Sequence, residues 1–334
     1  MSDGEFMELA LAEARRGLGR TAPNPAVGCV IAKGGVMLAK GYHHRAGQPH
    51  AEVEALSQLD GRAPGATAYV TLEPCNHWGR TGPCTEALLA AGVARVVVGT
   101  LDQNPVVAGL GAERLRAGGV LVEVGVREAE CRRLIGGFRR WILTKEPRVV
   151  LKLASSLDGR IATASGESRW ITGDSARAEV HRLRDEHDAV LVGAGTLRAD
   201  DPALTTRGRP EGRDPIRVVL GSRAPLPNAQ LFRAPLPART IVALAPAHDR
   251  SVERFQASGV EIWDADLPGL FSRLGVENVT SVLVEGGAQL AAELFKLRRV
   301  DAVIWHVAPR FIGGDGRPSL DAYGLGALAA LRRW

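Results

Sequence analysis

Residues 71–84 read TLEPCNHWGRTGPC, a stretch that holds two of the four cysteines in a chain of 334 residues. Four cysteines are too few for a disulfide scaffold in a chain of this length, so metal binding or catalysis is the better interpretation of the pair. Each of the two follows a proline, and Cys84 lies in the segment GPCTEALLAAG, which predicts a helix that ends at Gly92. His77 lies between them as another potential ligand. The group that this stretch binds therefore indicates the fold class and the chemistry of the first half of the chain.

The segment PHAEVEALSQL, residues 49–59, contains a histidine that can complete a metal site with the two cysteines. A hydrolytic zinc site needs three protein ligands and an open fourth position for water, and His50, Cys75 and Cys84 are the best trio. His50 and Cys84 each follow a proline in the first turn of a predicted helix, where the helix dipole offsets the negative charge of two sulfurs on one metal. Glu52 comes two residues after His50 and has the position expected of a general acid/base.

This arrangement, H-x-E followed by P-C and a second cysteine, is the signature of zinc nucleobase deaminases, in which the metal generates hydroxide and the glutamate moves protons. The signature has two residues between the cysteines, whereas this sequence has eight, NHWGRTGP. We expect the longer loop to bring His77, Arg80 and Thr81 over the site, where they can hold a small anionic substrate. The alternatives are packing of both cysteines in a core and a structural zinc site, although no fourth ligand is evident for the latter.

The rest of the first half alternates helical and strand-like segments. A helix is predicted for EFMELALAEARRGL, a hairpin with its turn at Gly34–Gly35 for AVGCVIAKGGVMLAKGYHH, and strands for TAYVTLE, ARVVVGT and VLVEVGV. Together these segments indicate a helix–sheet–helix sandwich over residues 1–145. A connecting helix, AECRRLIGGFRRWILTKEP, is expected to stop before Pro147.

A second alternation follows over residues 146–334, with strands predicted for RVVLKLAS, DAVLVGAG, IRVVLGS, RTIVALA, VEIWDA, SVLVEGG and DAVIWHVAP, and helices for SARAEVHRLRDEH and the segment after SVLVEGG. It indicates another α/β domain with a largely buried sheet. No G-x-G-x-x-G follows its first strand, so a Rossmann dinucleotide fold has little support. The segment LVEGGAQL, residues 283–290, runs from an apolar strand through two glycines into a helix. Backbone N–H groups there can approach a phosphate, and the alternative is a tight turn without a ligand.

Composition limits the classes of function. The sequence is 45% hydrophobic and 24% charged, which is typical of a globular protein, and no apolar run is long enough to span a bilayer. The N-terminus lacks the apolar core of a signal peptide, so we expect a cytoplasmic protein. A net charge of +5 with no basic arm argues against a nucleic-acid partner and is compatible with anionic small molecules.

Longer motifs resemble a known family. PNPAVGCVIAKGG, GYHHRAGQPHAEVEAL, TLEPCNHWGRTGPC and DQNPVVAGLG are similar to the deaminase half of the bifunctional riboflavin-biosynthesis deaminase–reductase family. KLASSLDGRIA, GESRWITGDSAR, HRLRDEHDAVLVGAGTLRADDPALTTR and LVEGGAQL resemble, in that order, its reductase half, from about 147 to 315. The resemblance implies an α/β protein with a cytidine-deaminase-like α/β/α sandwich and then a dihydrofolate-reductase-like α/β domain. It implies Zn²⁺ and NADPH as cofactors.

The resemblance also implies roles for individual residues. The zinc ligands would be His50, Cys75 and Cys84, with Glu52 as the proton shuttle. The substrate-binding residues of the two halves would be Asn24, His43, Ser168, Arg184, Leu204, Arg207 and Glu285. The residues along NADPH would be Ala154, Trp170, Thr196, Asp200, Gly286, Gly287 and Ala288.

Physical reasoning supports part of this assignment. Arg184 and Arg207 suit a phosphate monoester, since guanidinium groups bind phosphate oxygens bidentately. Ser222 and Arg223 follow the strand IRVVLG, where a turn can hold the 2′-phosphate of NADPH. Hydride transfer also needs a proton for the emerging oxygen, and the candidates that provide it or polarise the oxygen are Lys152, Asp200 and Glu285.

The predicted function is therefore hydrolytic deamination of a diaminopyrimidinone ribosylamine 5′-phosphate, followed by NADPH-dependent reduction of its ribosyl group to ribityl. One alternative is a tRNA or nucleoside deaminase with an unrelated C-terminal domain, and another is a zinc-stabilised binding protein without activity. The family usually continues for a few tens of residues where this sequence ends in LGALAALRRW, so an active deaminase with an impaired reductase is a further alternative. We expect a homo-oligomer, either a dimer or a tetramer.

Overall fold

The computed structural model describes residues 1–79, 82–105, 107–221, 228–233, 236–244 and 259–324. The chain divides into two compact units, Met1–Lys145 and Glu146–Trp334. No helix among the described residues is both long enough and apolar enough to cross a membrane.

The first unit is a five-stranded sheet with helices on both faces. In chain order its elements are α1 (Asp3–Arg15), β1 (Gly28–Lys33), β2 (Val36–Tyr42), α2 (Ala51–Ser57), β3 (Thr67–Val70), α3 (Cys84–Ala91), β4 (Arg95–Val98), α4 (Leu110–Ala117), β5 (Leu121–Val124), α5 (Glu128–Leu134) and α6 (Gly136–Thr144). The sheet order is β2-β1-β3-β4-β5, antiparallel from β2 to β3 and parallel from β3 to β5. One core cluster joins the sheet to α2, α3 and α4, and another joins its opposite face to α1 and α5. The predicted α/β/α sandwich is confirmed.

Local signals in the sequence place two of its turns correctly. The hairpin of β1 and β2 turns at Gly34 and Gly35, which have φ values of +59° and +78°. Helix α3 ends at Gly92 in the left-handed conformation, with φ +76°. Glycine adopts this region without the steric cost that a Cβ atom brings, which is why it marks both positions in the sequence.

The connecting segment differs from the prediction of one helix. It forms two helices, α5 and α6, which meet at Ile135. Two glycines follow Ile135, and each glycine in a helix interior costs about 1 kcal/mol relative to alanine, so the break falls there. The predicted stop before Pro147 is confirmed, because α6 ends at Thr144.

The second unit is built on a seven-stranded parallel sheet. Its elements are β6 (Arg148–Ser156), β7 (Arg160–Ala162), α7 (Asp174–Glu186), β8 (Ala189–Gly193), α8 (Ala194–Asp200), β9 (Ile216–Gly221), a short 3₁₀ helix (Gln230–Phe232), β10 (Thr240–Leu244), β11 (Glu261–Asp264), α9 (Leu267–Val276), β12 (Ser281–Val284), α10 (Ala288–Lys296), β13 (Ala302–Ala308) and β14 (Arg317–Pro318). The order is β11-β10-β9-β8-β12-β6-β13, and β7 pairs separately with β14. Core clusters cover both faces of the sheet, as the apolar strands predicted.

Two helices of this unit, α8 and α9, are absent from the sequence prediction. Helix α8 has only seven residues, and the first two, Ala194 and Gly195, belong to the segment VGAG, whose glycines favour a loop. Its Ala194 and Leu197 are buried in the core, so tertiary packing stabilises a helix that local propensity does not indicate.

Several predictions concern positions outside the described residues. These are the roles of Arg80 and Thr81 in the inter-cysteine loop, those of Ser222 and Arg223 in cofactor binding, and the consequence of the C-terminal segment 325–334.

Candidate functional site

The first unit brings His50, Cys75 and Cys84 together. His50 is the N-cap residue of α2, Cys84 is the first residue of α3, and Cys75 lies in the loop after β3. The Nδ1 atom of His50 lies 3.5 Å from Sγ of Cys75 and 3.3 Å from Sγ of Cys84. Neither cysteine is part of a disulfide. Two helix N-termini and one loop thus direct two sulfurs and one imidazole nitrogen to a single point.

The start of α3 fixes the loop that carries Cys75. The backbone N–H of Cys84 donates to Sγ of Cys75 at 3.4 Å, and the N–H of Thr85 donates to the Cys75 carbonyl at 3.2 Å. The Thr85 hydroxyl also donates to the side-chain oxygen of Asn76 at 2.9 Å. A hydrogen bond from the Cys84 thiol lowers the pKa of Cys75 to about 4, against the effect of burial, and His50 lowers it further. Cys75 is therefore a thiolate, which is the ligand form of cysteine.

Glu52 lies beside this trio in the first turn of α2 and is only 3% exposed. Burial raises its pKa to about 7, and the negative charge of Cys75 contributes in the same direction. A carboxyl group with a pKa near neutrality can both accept and release a proton at physiological pH, as a general acid/base must.

The donor set fits zinc. The ligand atoms of His50, Cys75 and Cys84 all lie within 4.8 Å of one another, and no fourth histidine, cysteine or carboxylate joins the group in the part of the chain that the structure describes. Structural zinc sites are closed by four protein ligands, whereas catalytic sites use three and leave one position for water. The arrangement therefore corresponds to a catalytic zinc site.

Two predicted substrate residues, Asn24 and His43, contact each other next to the trio. Nδ2 of Asn24 donates to Nε2 of His43 at 3.1 Å, and Nδ1 of His43 donates to the carbonyl of Pro49 at 3.0 Å. Burial lowers the pKa of His43, which is 2% exposed, so the ring is neutral and this tautomer uses both nitrogens. His43 therefore orients the Asn24 amide, while Asn24 itself is partly exposed. The third predicted residue, His77, is exposed on the inter-cysteine loop.

In the second unit, Arg184 and Glu285 form a bidentate ion pair. Nε and Nη2 of Arg184 donate to the two carboxylate oxygens of Glu285 at 2.6 and 2.8 Å, and the side chains are 11% and 13% exposed. Burial is the largest single effect and acts to raise the pKa of Glu285, but the charge and hydrogen bonds of Arg184, together with the charge of Lys152, hold that pKa below its usual value. Glu285 is therefore an ionised anchor for Arg184, and it has no proton to donate near neutral pH.

Lys152, on β6, is close to this pair. Burial lowers its pKa, the charge of Glu285 opposes that change, and the charge of Arg184 adds to it. A lysine with a lowered pKa gives up a proton more readily than an exposed one, so of the three predicted proton donors Lys152 has the best environment. Asp200, the third, ends α8 and accepts a hydrogen bond of 3.5 Å from the Ser168 hydroxyl.

Predicted cofactor residues converge where α8 and α10 begin. Gly287 is the N-cap residue of α10, without a side-chain cap, and Oγ1 of Thr196 lies 3.4 Å from the position that a Cβ atom on Gly287 would occupy. Gly286 and Ala288 flank Gly287, and Ala154 lies on the neighbouring strand β6. The unpaired N–H groups of a helix start are suited to a pyrophosphate.

Of the remaining predicted residues, Leu204 and Arg207 lie on the loop after α8, and Trp170 lies before α7. The side chain of Leu204 is 1% exposed and packs in the core, with φ +54°, so any ligand contact of this residue is made by its backbone. Arg207 is exposed and its Nε donates to the Thr205 hydroxyl at 3.5 Å. Trp170 is 63% exposed, with the guanidinium of Arg177 stacked 4.6 Å from its ring centre.

Sequence reasoning missed residues that hold these sites in place. His181 lies one turn from the predicted Arg184 on α7, and both donate to the Thr205 carbonyl, at 3.1 and 3.0 Å. Their spacing on one helix face was the available signal. In the first unit Glu73 is buried two residues before Cys75, and its place within the TLEPC motif was the signal.

Both units match families of known proteins. Residues 147–333 match the family model of the RibD C-terminal domain, and residues 1–100 match that of the cytidine and deoxycytidylate deaminase zinc-binding region. The riboflavin biosynthesis protein RibD of Escherichia coli strain K12 is 41% identical, over 98% of this chain and 94% of its own length. The corresponding protein of Actinobacillus pleuropneumoniae is 42% identical, over 94% of this chain and 85% of its own length.

The chain belongs to the RibD family.

Solved structures of the RibD family have the same fold. RibD of Acinetobacter baumannii superimposes with a TM-score of 0.86 at 40% identity, covering 99% of this chain and 93% of its own. A diaminohydroxyphosphoribosylaminopyrimidine deaminase/5-amino-6-(5-phosphoribosylamino)uracil reductase of Thermotoga maritima has a TM-score of 0.85 at 38% identity, with the same coverage. The predicted family, fold class and bifunctional riboflavin-biosynthesis role are confirmed, and the chain is a deaminase and reductase enzyme.

Proposed function

We propose that the first unit hydrolytically deaminates a diaminopyrimidinone ribosylamine 5′-phosphate and that the second unit reduces the ribosyl group of the product to ribityl with NADPH. The observation that carries this proposal is the trio His50, Cys75 and Cys84 with the buried Glu52 beside it. The alternative of a tRNA deaminase needs an unrelated C-terminal domain, whereas residues 147–333 match the RibD C-terminal domain.

In the deaminase, His50, Cys75 and Cys84 hold the zinc ion. When bound, zinc supplies a water molecule of lowered pKa at its open coordination position. The carboxylate of Glu52 takes a proton as the water attacks the amine-bearing ring carbon, and returns a proton to the nitrogen that leaves as ammonia. Its pKa of about 7 suits both transfers.

The substrate is oriented by groups around the trio. The side-chain amide of Asn24, held by His43, can bind a polar edge of the pyrimidine. His77 and Arg80 lie on the inter-cysteine loop and are assigned to the phosphoribosyl arm, because cationic and hydrogen-bonding groups are the partners that a phosphate needs.

In the reductase, the N-terminus of α10 with Gly286, Gly287 and Ala288 receives the pyrophosphate of NADPH. The residues assigned to the nicotinamide side are Ala154, Trp170, Thr196 and Asp200, and Ser222 is assigned to the 2′-phosphate. Because NADPH delivers a hydride to the ribose carbon, a proton must reach the ribose oxygen, and Lys152 is the assigned donor.

Substrate binding in the reductase involves a second phosphate site. Arg207 and the backbone of Leu204 are assigned to the phosphate, with Ser168 at the edge of the site. Arg184 and Glu285 form a bidentate ion pair and therefore act as a unit. We assign the remaining N–H groups of Arg184 and one face of the carboxylate to the ribose. We further propose that the enzyme is cytoplasmic, binds no nucleic acid and forms a dimer or tetramer.

The test uses the purified zinc-loaded full chain. It is given the diaminopyrimidinone ribosylamine phosphate or tRNA, and ammonia release is measured. The deaminated intermediate is then supplied directly, and oxidation of NADPH is followed by its absorbance. We expect ammonia from the pyrimidine phosphate alone and NADPH oxidation with the intermediate. Ammonia from tRNA alone would contradict the deaminase assignment, and absence of NADPH oxidation would contradict the reductase assignment.

A further inference from the structure

The carboxylate of Glu73 has no part in the chemistry proposed above, although it lies two residues before the ligand Cys75. It is 6% exposed. Its Oε2 atom accepts hydrogen bonds from the backbone N–H groups of Asp102, at 3.1 Å, and Gly109, at 2.9 Å. Its Oε1 atom accepts from the N–H of Ala112 at 3.0 Å. A buried carboxylate that accepts three backbone hydrogen bonds fixes the position of the segments that donate them.

These contacts place Glu73 at the start of α4. The N-cap residue of that helix is Gly109, which has φ +84° and no side chain to cap the helix. The N–H groups of Gly109 and Ala112 lie at the helix start, where donors lack partners within the helix, and the helix dipole there favours a negative charge. Glu73 therefore acts as the cap of α4, supplied by a different segment of the chain.

Close packing at Gly111 is independent evidence that the start of α4 contacts the segment that carries Glu73 and Pro74. A Cβ atom on Gly111 would lie 2.0 Å from the carbonyl oxygen of Pro74 and 3.2 Å from Oε1 of Glu73. The first turn of α4 thus rests directly on Pro74, the residue between Glu73 and Cys75. The N–H of Glu73 also donates to the Thr100 carbonyl at 3.0 Å, at the end of β4. The segment that leads into the metal-binding loop is fixed on two sides.

The contacts of Glu73 hold the described residues of the loop between β4 and α4 in place. Its Asp102 is tied to Glu73 by its own N–H, and its carboxylate accepts from the N–H of Asn104 at 2.8 Å. Burial raises the pKa of Asp102, and the charge of Glu73 adds to that effect, while the charge of His77 opposes it. Through Glu73, Asp102 is therefore tied to the segment that leads into the ligand Cys75.

We propose that Glu73 is a positioning residue of the deaminase, which holds residues 101–105 and 107–109 beside the turn that carries Cys75 and His77. These residues then form one wall of the pocket for the pyrimidine phosphate. Glu73 acts through the loop and does not touch substrate. This inference rests on the proposed deaminase function, because the substrate it concerns is the one assigned there.

The test compares Glu73→Gln with Glu113→Gln in the zinc-loaded full chain. Glutamine keeps the shape of Glu73 but turns an NH₂ group toward a backbone donor. Glu113 lies in the first turn of the same helix and is exposed, so its variant makes the same charge change without the junction. We expect Glu73→Gln to raise the deaminase KM about tenfold, the factor that corresponds to loss of one charged hydrogen bond. We expect kcat, zinc content, reductase activity and the Glu113→Gln enzyme to stay near wild type.

A purely structural role for Glu73 predicts a different result, a lower yield of folded enzyme with an unchanged KM. A KM within twofold of wild type, or loss of zinc from the folded Glu73→Gln protein, would overturn the proposal. A cooperative unfolding transition of the first unit in urea reports whether the variant is folded. If it is not, Glu73→Asp, which keeps the charge and retracts it by one methylene, is measured in the same way, and an unchanged KM would again overturn the proposal.

Hydrogen exchange separates this inference from the proposed function. In the wild-type enzyme we expect the amides of Gly109 and Ala112 to be protected, although the first amides of a helix usually exchange quickly. Their exchange should be about tenfold faster in Glu73→Gln and unchanged in Glu113→Gln. Rapid exchange in wild type would refute the anchoring by Glu73 even in an active deaminase. Protection in an enzyme that does not deaminate the pyrimidine phosphate would mean that the proposed function fails and the anchor stands.

Discussion

Glu52 and Glu54 differ by half a turn on α2, and the difference decides which of them can act as an acid/base. Glu52 is 3% exposed beside the trio, with its pKa raised to about 7 by burial. Glu54 is partly exposed and lies 3.6 Å from His44 in an ion pair. Of the two, only Glu52 is both close to the metal ligands and able to exchange a proton near neutral pH.

We therefore expect Glu52→Gln to lower the deaminase kcat by about 10²–10⁴, the usual contribution of a general acid/base. Zinc content and NADPH oxidation should not change, because the amide is isosteric and the zinc ligands are intact. Glu54→Gln makes the same charge change on the same helix and should retain wild-type kcat within about twofold. Deamination at the wild-type rate by Glu52→Gln would show that another group moves the proton.

The buried pair of Arg184 and Glu285 predicts a large effect on stability. Glu285→Ala leaves the guanidinium of Arg184 without its partner, and removal of one member of a buried pair costs about 3–5 kcal/mol. The exposed pair of Glu293 and Lys296, at 3.6 Å, is the matched control, and Glu293→Ala should cost less than about 1 kcal/mol. The measurement is the free energy of unfolding of the second unit in urea. Equal costs for the two variants would mean that the buried pair is not fully desolvated.

The same pair predicts how stability depends on pH. The pKa of Glu285 is lower in the folded protein than its usual value, because the charge and hydrogen bonds of Arg184 and the charge of Lys152 together outweigh burial. Its contribution is thus fully present above the unfolded pKa, about 4.3, and is lost as the pH falls through the folded pKa. Between about pH 5 and pH 3 the wild type should lose more stability than Glu285→Ala. Parallel pH profiles for the two proteins would contradict the lowered pKa.

Residues close in sequence were easier to predict than residues that meet only in the fold. His50 and Glu52, and the two Pro-Cys pairs, are local motifs with a chemistry of their own, so the metal trio could be predicted from the sequence. Arg184 and Glu285 lie 101 positions apart, and each was predicted as a substrate residue without its partner. Glu73 was within the quoted motif but its three donors come from another segment, which no local pattern reveals.

At the scale of elements, the strands of both sheets could be predicted because their apolar runs are bounded by turn residues. Helix α8 could not, since its seven residues are stabilised by burial of Ala194 and Leu197 and not by propensity. This short helix matters for function because it carries Thr196 to the start of α10, next to Gly287. The cofactor assignment therefore depends on an element that tertiary packing creates.

Gly287→Ala tests whether the cofactor binds where α8 meets the start of α10. Its φ of −78° is accessible to alanine, and the new Cβ atom would meet Thr196 Oγ1 at 3.4 Å, so the fold tolerates it. The added methyl would occupy the space through which N–H groups approach a pyrophosphate, and we expect the KM for NADPH to rise about tenfold.

Gly173→Ala is the matched control, because Gly173 is also a helix N-cap residue in this unit, with φ −79° and open space around it. The two substitutions should lower stability by similar amounts, since alanine is a poor N-cap residue. Only Gly287→Ala should change the KM for NADPH. A change of equal size in both variants would place the cofactor elsewhere.

At the scale of the whole molecule, each unit has its own hydrophobic core. Of the four core clusters that the described residues form, two draw only on the unit Met1–Lys145 and two only on Glu146–Trp334. The metal trio belongs to the first unit and the Arg184–Glu285 pair to the second. Neither set of side chains is needed to complete the other, so we expect the two activities to be separable by removal of the metal.

Removal of zinc with a chelator should therefore abolish one activity and leave the other. Several kcal/mol of transition-state stabilisation depend on the metal, and each 1.36 kcal/mol is a factor of ten, so deamination should fall at least about 100-fold. The rate of NADPH oxidation with the deaminated intermediate should stay within about twofold of wild type, because no zinc ligand lies in the second unit among the described residues. Added Zn²⁺ should restore ammonia release, whereas added Mg²⁺ should not, since thiolate ligands favour the softer ion. A parallel loss of both activities on chelation would show that the metal also supports the reductase and would refute the separation of the two sites.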